Sequence, residues 1–203
     1  MNKISVAELD FYYGSVRALS NVSIDIQAHK ITALVSIAGS INGSPLANRY
    51  DGFYNFFLAQ FAFDACGFGD GQVIESLKRD QRMSQLVELP PPRHVAYYSL
   101  GAFTEQRQIA RIMRLVGHPD LSRTDPRNDG QTLYHDQVIP EATLLGYANA
   151  DHWAVAIPME EAKPFIAGNG TRDTGFPRRV LFEAIVLYLV ESLGDEKKSR
   201  SVP

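Results

Sequence analysis

The sequence predicts an α/β fold built on a mostly parallel sheet. Two largely apolar runs, residues 31–38 (ITALVSIA) and 94–100 (HVAYYSL), are typical of strands that are buried on both faces. A further strand is predicted at 143–147, and an amphipathic helix opened by Pro177 follows through residue 193. Because strands alternate with helical spacing from residue 31 onward, the strands are expected to pair in parallel within a layered structure.

The composition is that of a globular protein with its own core. Of the 203 residues, 45% are hydrophobic and 21% are charged, and the formal net charge is −3 at pH 7. These values indicate no nucleic-acid-binding surface. The single cysteine, Cys66, leaves no pair for a disulfide and no cysteine-built zinc site, and we interpret it as a reduced core residue. No two histidines have the i, i+4 spacing of a helical metal site, so neither a metal nor a cofactor is expected.

No targeting segment or membrane span is predicted. The acidic residues Glu8 and Asp10 interrupt the N-terminus before an apolar core of signal-peptide length has formed. The most apolar helical run, residues 180–193, carries Glu183 and Glu191 and is shorter than the roughly 20 residues that a bilayer requires. A cytoplasmic location is therefore expected.

The N-terminal segment alternates apolar and polar side chains. Residues 3–10 (KISVAELD) and 21–27 (NVSIDIQ) each predict a strand, and residues 11–14 (FYYG) between them predict a turn. The strand at 31–38 would have an uncovered apolar edge, which favours self-association, unless these N-terminal strands pair with it. We therefore expect the N-terminal strands at one edge of the sheet.

Three further segments are assigned from their composition and spacing. Residues 48–65 are rich in aromatic side chains at i, i+3, i+4 spacing, which predicts a helix packed on the sheet. Core packing is the favoured interpretation of these rings; a lining for an apolar substrate and a surface for a protein partner are the alternatives. Helical spacing also predicts a helix at 104–115, and the polar residues 194–203 are expected to be disordered.

The stretch VAELDFYYGSVRALSNVSIDIQAHKITALV, within about residues 1–35, resembles the opening of an ABC transporter ATPase of the phosphate-import type. In that family an aromatic residue before a glycine stacks on adenine, and Tyr12 or Tyr13 falls at that place. The family's next strand leads into a G-x-x-x-x-G-K-[ST] loop, whose backbone N–H groups and lysine hold the phosphates. Here SIAGSINGSPLA follows, without the lysine. The resemblance thus implies at most adenine stacking on Tyr13, and no ATP hydrolysis.

Two other stretches, ALVSIAGSINGSPLA and RNDGQTLYHDQVIPEATLLGYANADHWAVAIP, resemble lipase- or esterase-like α/β-hydrolases over about residues 33–193. This resemblance implies an incomplete three-layer α/β-hydrolase-like sheet, mostly parallel, with the N-terminal strands added at one edge. The implied domains are ABC ATPase-like strands at 1–30, a partial α/β-hydrolase-like domain at 31–193 and a disordered tail at 194–203. Such a chain would be chimeric or truncated.

By the hydrolase resemblance, Asp129 is the acid and His152 the base of a catalytic triad. A buried aspartate that accepts a hydrogen bond from one imidazole nitrogen fixes the tautomer and stabilises the imidazolium formed during acyl transfer. Taken alone, Asn-Asp-Gly is also a common turn, and a histidine before tryptophan can be a packed core residue. The rival acids are Asp125, Asp136 and Asp151.

The serine of a G-x-S-x-G nucleophile motif does not occur anywhere in the sequence. Ser40 and Ser44 are the candidate substitutes, although hydroxyls in such Gly- and Pro-containing turns more often bond the backbone. We therefore predict a serine esterase- or lipase-like protein that retains a triad remnant, acts on a small ester or acyl substrate and has low or absent activity. The alternatives are a fragment of the ATP-binding subunit of an importer and a non-catalytic interaction protein that uses the aromatic residues at 50–63.

Overall fold

In the computed structural model, the chain divides into two compact units. One consists of Met1–Ile31 and Pro177–Pro203, and the other of Thr32–Phe176. The structure describes residues 2–13, 16–27, 31, 33–49, 72–156 and 175–199. The aromatic residues at 50–63 and Cys66 lie outside the described residues, so the interpretations placed on them stay predictions.

The N-terminal strands form a sheet of their own. Strand β1 (Asn2–Tyr13) pairs antiparallel with β2 (Val16–Gln27) in a two-stranded sheet. The two predicted strands are therefore confirmed, but the predicted turn is wrong, because residues 11–13 belong to β1. The expected pairing with the edge of the next strand is also wrong. Only Gly14 and Ser15 separate β1 from β2, so pairing with each other closes the shortest loop at the smallest entropic cost.

The larger unit is organised around a three-stranded parallel sheet with the order β3-β4-β5. The strands are β3 (Ala33–Ile37), β4 (Ala96–Ala102) and β5 (Thr143–Ala148). Both β3 and β5 pair in parallel with β4, as the alternation of strands and helices predicts. The predicted α/β fold with a mostly parallel sheet is confirmed.

The strand β4 is central and its second half is fully buried, whereas the outer strands are more exposed. Leu34 on β3 is 44% exposed and Leu144 on β5 is 46% exposed. Among the described strands, β3 pairs only with β4. The edge of β3 that faces away from β4 is therefore open in the described part of the chain.

Short helices surround this sheet. They are α1 (Pro45–Arg49), α2 (Gln72–Ser76), α3 (Arg79–Glu88), α4 (Arg111–Leu115), α5 (Gly117–Leu121) and α6 (His152–Ala156). The single helix predicted at 104–115 is wrong, since a 3-10 turn at Gln106–Gln108 is followed by the separate helix α4. The break lies at Ile109 and Ala110: the backbone of Ile109 is extended, and the N–H of Ala110 donates to the Asp151 carboxylate (2.8 Å).

The last helix, α7 (Arg178–Ser199), begins directly after Pro177, as the sequence predicts. It extends through residues 194–199, which we expected to belong to a disordered tail, and residues 200–203 lie outside the described residues. The added turn contains glutamate and two lysines, which are good helix formers. Within the described ranges, no helix has the length and apolar character needed to cross a bilayer.

Candidate active site

In the larger unit, Asp129 lies in the segment between β4 and β5, and His152 lies shortly after β5. Since parallel strands end at the same edge of a sheet, segments that follow β4 and β5 can meet there. His152 is the first residue of α6. The chain thus brings together two side chains that are 23 positions apart in sequence.

The acid is held by a tight turn. One carboxylate oxygen of Asp129, Oδ1, accepts hydrogen bonds from the backbone N–H groups of Gln131 (2.9 Å) and Thr132 (2.7 Å). The turn requires Gly130, which has φ +91°, and a Cβ there would lie 3.0 Å from the side chain of Ile109. The Asn-Asp-Gly sequence therefore forms a turn that also fixes the buried aspartate.

The imidazole and the carboxylate are directly hydrogen-bonded. Nδ1 of His152 donates to Oδ2 of Asp129 across 2.7 Å, because a carboxylate oxygen can only accept. The Asp129 side chain is fully buried, whereas that of His152 is 24% exposed. With the proton on Nδ1, Nε2 of the neutral imidazole carries the free lone pair. This pair has the geometry of the acid and base of an acyl-transfer triad.

Electrostatics make His152 a stronger base than an ordinary histidine. Burial by itself would lower the pKa of the imidazole, but the charge and hydrogen bond of Asp129 and the charge of Asp151 outweigh it. The pKa of His152 is therefore raised above its usual value of 6.5. A raised pKa favours acceptance of a proton from an attacking hydroxyl or water.

Asp151 positions the helix that begins with His152. Its Oδ1 accepts from the N–H groups of Trp153 (3.1 Å) and Ala154 (2.8 Å), as an N-cap does, and its Oδ2 accepts from Ala110 (2.8 Å). Desolvation raises the pKa of this buried carboxyl, although these three backbone N–H donors act against the rise. Asp151 thus caps the helix and is not hydrogen-bonded to the imidazole.

The other two rival acids are engaged elsewhere. Asp125 forms hydrogen bonds to the Arg127 guanidinium at 3.0 and 2.8 Å, which, with a bond from the Arg127 N–H, lower its pKa to about 2. Asp136 accepts from Arg79 (2.9 Å) and its second oxygen is buried without a partner. Desolvation raises the pKa of Asp136 against the opposing charges of Arg79 and His135. Of the four candidate acids, all of which lie in the described part of the chain, only Asp129 forms a hydrogen bond to the imidazole of His152.

The two candidate nucleophiles are bonded away from the imidazole. The Ser44 hydroxyl donates to the backbone oxygen of Gln131 (2.5 Å) and accepts from the N–H of Leu46 (3.2 Å), which caps α1. The Ser40 hydroxyl lies 3.0 Å from that of Thr132. The Ser44 hydroxyl therefore bonds only backbone groups among the described residues. The Ser40 hydroxyl contacts Thr132, whose N–H binds Asp129, but it does not contact His152.

One residue of the site was not singled out from the sequence. Gln137, fully buried, donates from Nε2 to Oδ2 of Asp129 (3.1 Å), the same oxygen that binds His152. A glutamine in the sequence YHDQ has no motif to identify it, because its role depends on a contact across the fold.

The residues that the structure describes contain no cluster of three potential metal ligands. Tyr13, the candidate adenine-stacking residue, lies in β1.

Comparison with solved structures finds an esterase and a lipase among the proteins that resemble this chain. No protein-family model matches the sequence. The crystal structure of the metagenomic carboxyl esterase MGS0156 matches with 37% identity and a TM-score of 0.68, covering 79% of this chain and 48% of that protein. The mature lipase BlEst2 of Bacillus licheniformis matches at 19% identity and a TM-score of 0.46, covering 70% of this chain and 51% of that protein.

This chain therefore spans about half the length of the structures that it matches. The mixed α/β arrangement with a mostly parallel open sheet is that of an α/β-hydrolase-like fold, as predicted. Nothing in these matches supports the ABC transporter ATPase-like interpretation of residues 1–35.

Proposed function

We propose that this α/β-hydrolase-like chain carries the acid and base of a carboxylic ester hydrolase of the serine esterase or lipase class. The observation that carries the proposal is the 2.7 Å hydrogen bond from Nδ1 of His152 to the fully buried Asp129 carboxylate. The likeness to the carboxyl esterase MGS0156 supports an ester as the substrate class. The expected cytoplasmic location stays a prediction.

In the proposed reaction His152 takes one proton from the attacking group and later gives it to the leaving group. Nε2 accepts the proton of an attacking O–H group as its oxygen bonds to the ester carbonyl carbon, and the carbonyl oxygen takes up the negative charge. The imidazolium is stabilised by Asp129 while it exists. It then returns the proton to the leaving alkoxide as the C–O bond breaks, so the base is regenerated.

The identity of the attacking group limits the activity that we propose. The sequence has no G-x-S-x-G motif, and the hydroxyls of Ser40 and Ser44 are bonded to Thr132 and Gln131. We propose that neither serine forms an acyl-enzyme and that His152 activates water, giving weak turnover. Loss of the triad serine costs on the order of 10⁶ in kcat in a well-studied protease, so slow hydrolysis is the expectation.

A serine-directed fluorophosphonate should leave the folded chain unlabelled. Labelling of Ser40 or Ser44 would overturn the proposal that neither serine forms an acyl-enzyme.

The function is tested by hydrolysis of short p-nitrophenyl esters. The wild-type chain, His152→Ala and the control His94→Ala, whose histidine lies exposed before β4, are compared after each is shown to be folded. We expect slow turnover that His152→Ala abolishes and His94→Ala retains. Equal rates in all three proteins would show that the Asp129–His152 pair performs no ester chemistry.

Self-association through the open edge of β3 is a second proposal. It is supported by the unpaired edge among the described strands and by the 44% exposure of Leu34. Size-exclusion chromatography combined with light scattering should show species larger than one chain, and Leu34→Lys should reduce them. A monodisperse monomer with a cooperative melting transition would contradict the proposal.

The alternatives from the sequence stay predictions. An ATP-binding fragment predicts thermal stabilisation by millimolar MgATP, and we propose that no such shift occurs. An interaction protein would need exposed rings at 50–63, which lie outside the described residues. No contact among the residues that the structure describes supports either the ATP-binding fragment or the interaction protein.

A further inference from the structure

Gln137 connects the end of a core strand to the carboxylate of the site. It ends the 3-10 turn Tyr134–Gln137 and is fully buried. Its Oε1 accepts from the N–H of Ala102 (2.5 Å), and its Nε2 donates to the carbonyl oxygen of Ala102 (2.9 Å). The same Nε2 donates to Oδ2 of Asp129 (3.1 Å). One amide therefore bridges the last residue of β4 and the acid.

The contacts with Ala102 determine which end of the amide faces the acid. A backbone N–H can only donate and a carbonyl can only accept, so Ala102 assigns Oε1 and Nε2 without ambiguity. A flipped amide would place two donors against each other at the Ala102 N–H. The NH₂ group, which can bond a carboxylate, is therefore the end that lies beside Asp129.

The amide completes the set of hydrogen bonds to Asp129. The backbone donors Gln131 and Thr132 bind Oδ1, which by itself leaves the carboxylate plane free to turn about that anchored oxygen. Oδ2 receives Nδ1–H of His152 and Nε2–H of Gln137. Donors on both oxygens fix the carboxylate plane, and only a fixed plane keeps Oδ2 directed at the imidazole.

The strand leaves room for this side chain at Gly101. A Cβ at Gly101 would lie 3.2 Å from Oε1 of Gln137 and 2.4 Å from the ring of Tyr147. Since real Cβ atoms essentially never lie within 3.0 Å of a non-bonded heavy atom from elsewhere in the chain, the Tyr147 contact excludes a side chain here unless that ring moves. Glycine thus permits both the aromatic ring and the amide to pack against the end of β4.

We propose that Gln137 is a positioning residue, which acts through Asp129 to hold His152 in the tautomer with the proton on Nδ1. This inference rests on the proposed acid–base role of the pair. Gln137 is buried and contacts Asp129 rather than the imidazole, so it has no direct part in the reaction.

The wild-type chain allows a direct test by NMR. In ¹⁵N-labelled protein, the proton of Gln137 Nε2 that faces Asp129 should shift with pH at the same midpoint as the His152 ring. His152→Ala should remove that inflection, because the carboxylate then loses its titrating partner. A Gln137 side chain that shows no inflection in the wild-type chain would overturn the proposal.

Variants separate positioning from simple support of the fold. Gln137→Met keeps the side-chain length but removes the donor, and Nε2-protonated His152 should then appear in the ¹⁵N spectrum. Ser99→Ala is the matched control, because the buried Ser99 hydroxyl accepts from the N–H of Ile139 (3.0 Å) and links the same segment to β4 without touching Asp129. Ser99→Ala should lower the melting temperature and leave the tautomer unchanged.

The two proposals fail in different ways. An unchanged tautomer in folded Gln137→Met, or an equal change in Ser99→Ala, would overturn the positioning role whatever the esterase activity. Failure of ester turnover with the NMR coupling intact would overturn the proposed function alone. Where turnover is measurable, Gln137→Met should lower kcat and leave KM unchanged, since a buried amide makes no contact with substrate. If Gln137→Met does not fold, the wild-type titration decides.

Discussion

His152 is bound to Asp129 at two points. The imidazole Nδ1 donates to the carboxylate across 2.7 Å, and the backbone N–H of His152 donates to the carbonyl oxygen of Asp129 across 2.9 Å. The backbone hydrogen bond holds the Asp129 turn next to the start of α6. The two side chains therefore do not need a movement of either segment in order to meet. The imidazole is therefore held in place beside the carboxylate, which is the preorganised arrangement that the proposed proton transfer requires.

Asp129→Asn should lower the pKa of His152 and invert its tautomer. The asparagine NH₂ group can donate to Nδ1, which moves the proton to Nε2, and the charge that raises the imidazole pKa is lost. In a working triad the same change lowers kcat by about 10⁴. NMR titration of the His152 ring measures both effects, and an unchanged pKa would contradict the assignment.

The same pair makes stability depend on pH. Because the folded pKa of His152 lies above 6.5, its protonation stabilises the fold fully below that pH, and this contribution is lost as pH rises through the folded pKa. Thermal denaturation across this range should show a decline in the wild-type chain that Asp129→Asn lacks. Parallel profiles in the two proteins would contradict the prediction.

Asp151→Asn should lower the pKa of His152 by a smaller amount than Asp129→Asn does. Asparagine is a good N-cap and retains the bonds to α6, so the helix is expected to persist. The Ala110 N–H loses its charged acceptor, at a cost of about 1–3 kcal/mol. Chemical denaturation measures the cost, and an unchanged imidazole pKa would show that the charge of Asp151 does not reach His152.

Asp136→Asn should stabilise the protein at neutral pH. Desolvation raises the pKa of this carboxyl despite Arg79, so wild-type stability falls as pH rises from the ordinary value of 3.8 through the folded value. A neutral amide avoids that loss, and the two proteins should converge as the pH falls toward 3.8. Melting temperatures test this, with exposed Asp80→Asn on α3 as the control. A lower melting temperature for Asp136→Asn at neutral pH would contradict the prediction.

Ser44→Ala should cost stability and leave ester turnover unchanged. Its hydroxyl caps α1, and replacing an N-cap serine by alanine costs about 1 kcal/mol, to which the lost bond to Gln131 adds. Urea denaturation measures the loss of stability and p-nitrophenyl ester hydrolysis the activity. Loss of turnover in a folded Ser44→Ala protein would instead identify the nucleophile.

Local pattern predicts the core strands, whereas the two site residues are predicted by the resemblance to α/β-hydrolases. The apolar runs identify β3 and β4, and residues after β4 and β5 meet because parallel strands share an edge. Helix α7 follows from Pro177 and its spacing, although the tail residues also join it. These features depend on periodicity and topology, which the sequence contains.

Features that depend on distant contacts are not predictable in this way. Alternation predicts β1 and β2 but not their partner, which the short connection between them decides. The helix predicted at 104–115 is broken at Ala110, whose N–H bonds to Asp151, 41 positions away. Gln137 acquires its role only when β4 and the Asp129 turn are side by side.

The most direct test of the central claim, that Asp129 and His152 act as an acid–base pair on esters, is the pH profile of p-nitrophenyl acetate hydrolysis by the folded chain. The rate should rise with pH through an inflection at the pKa measured for the His152 ring, and this inflection should be absent in His152→Ala. A rate that shows no such inflection, or that is the same in His152→Ala, would contradict the claim.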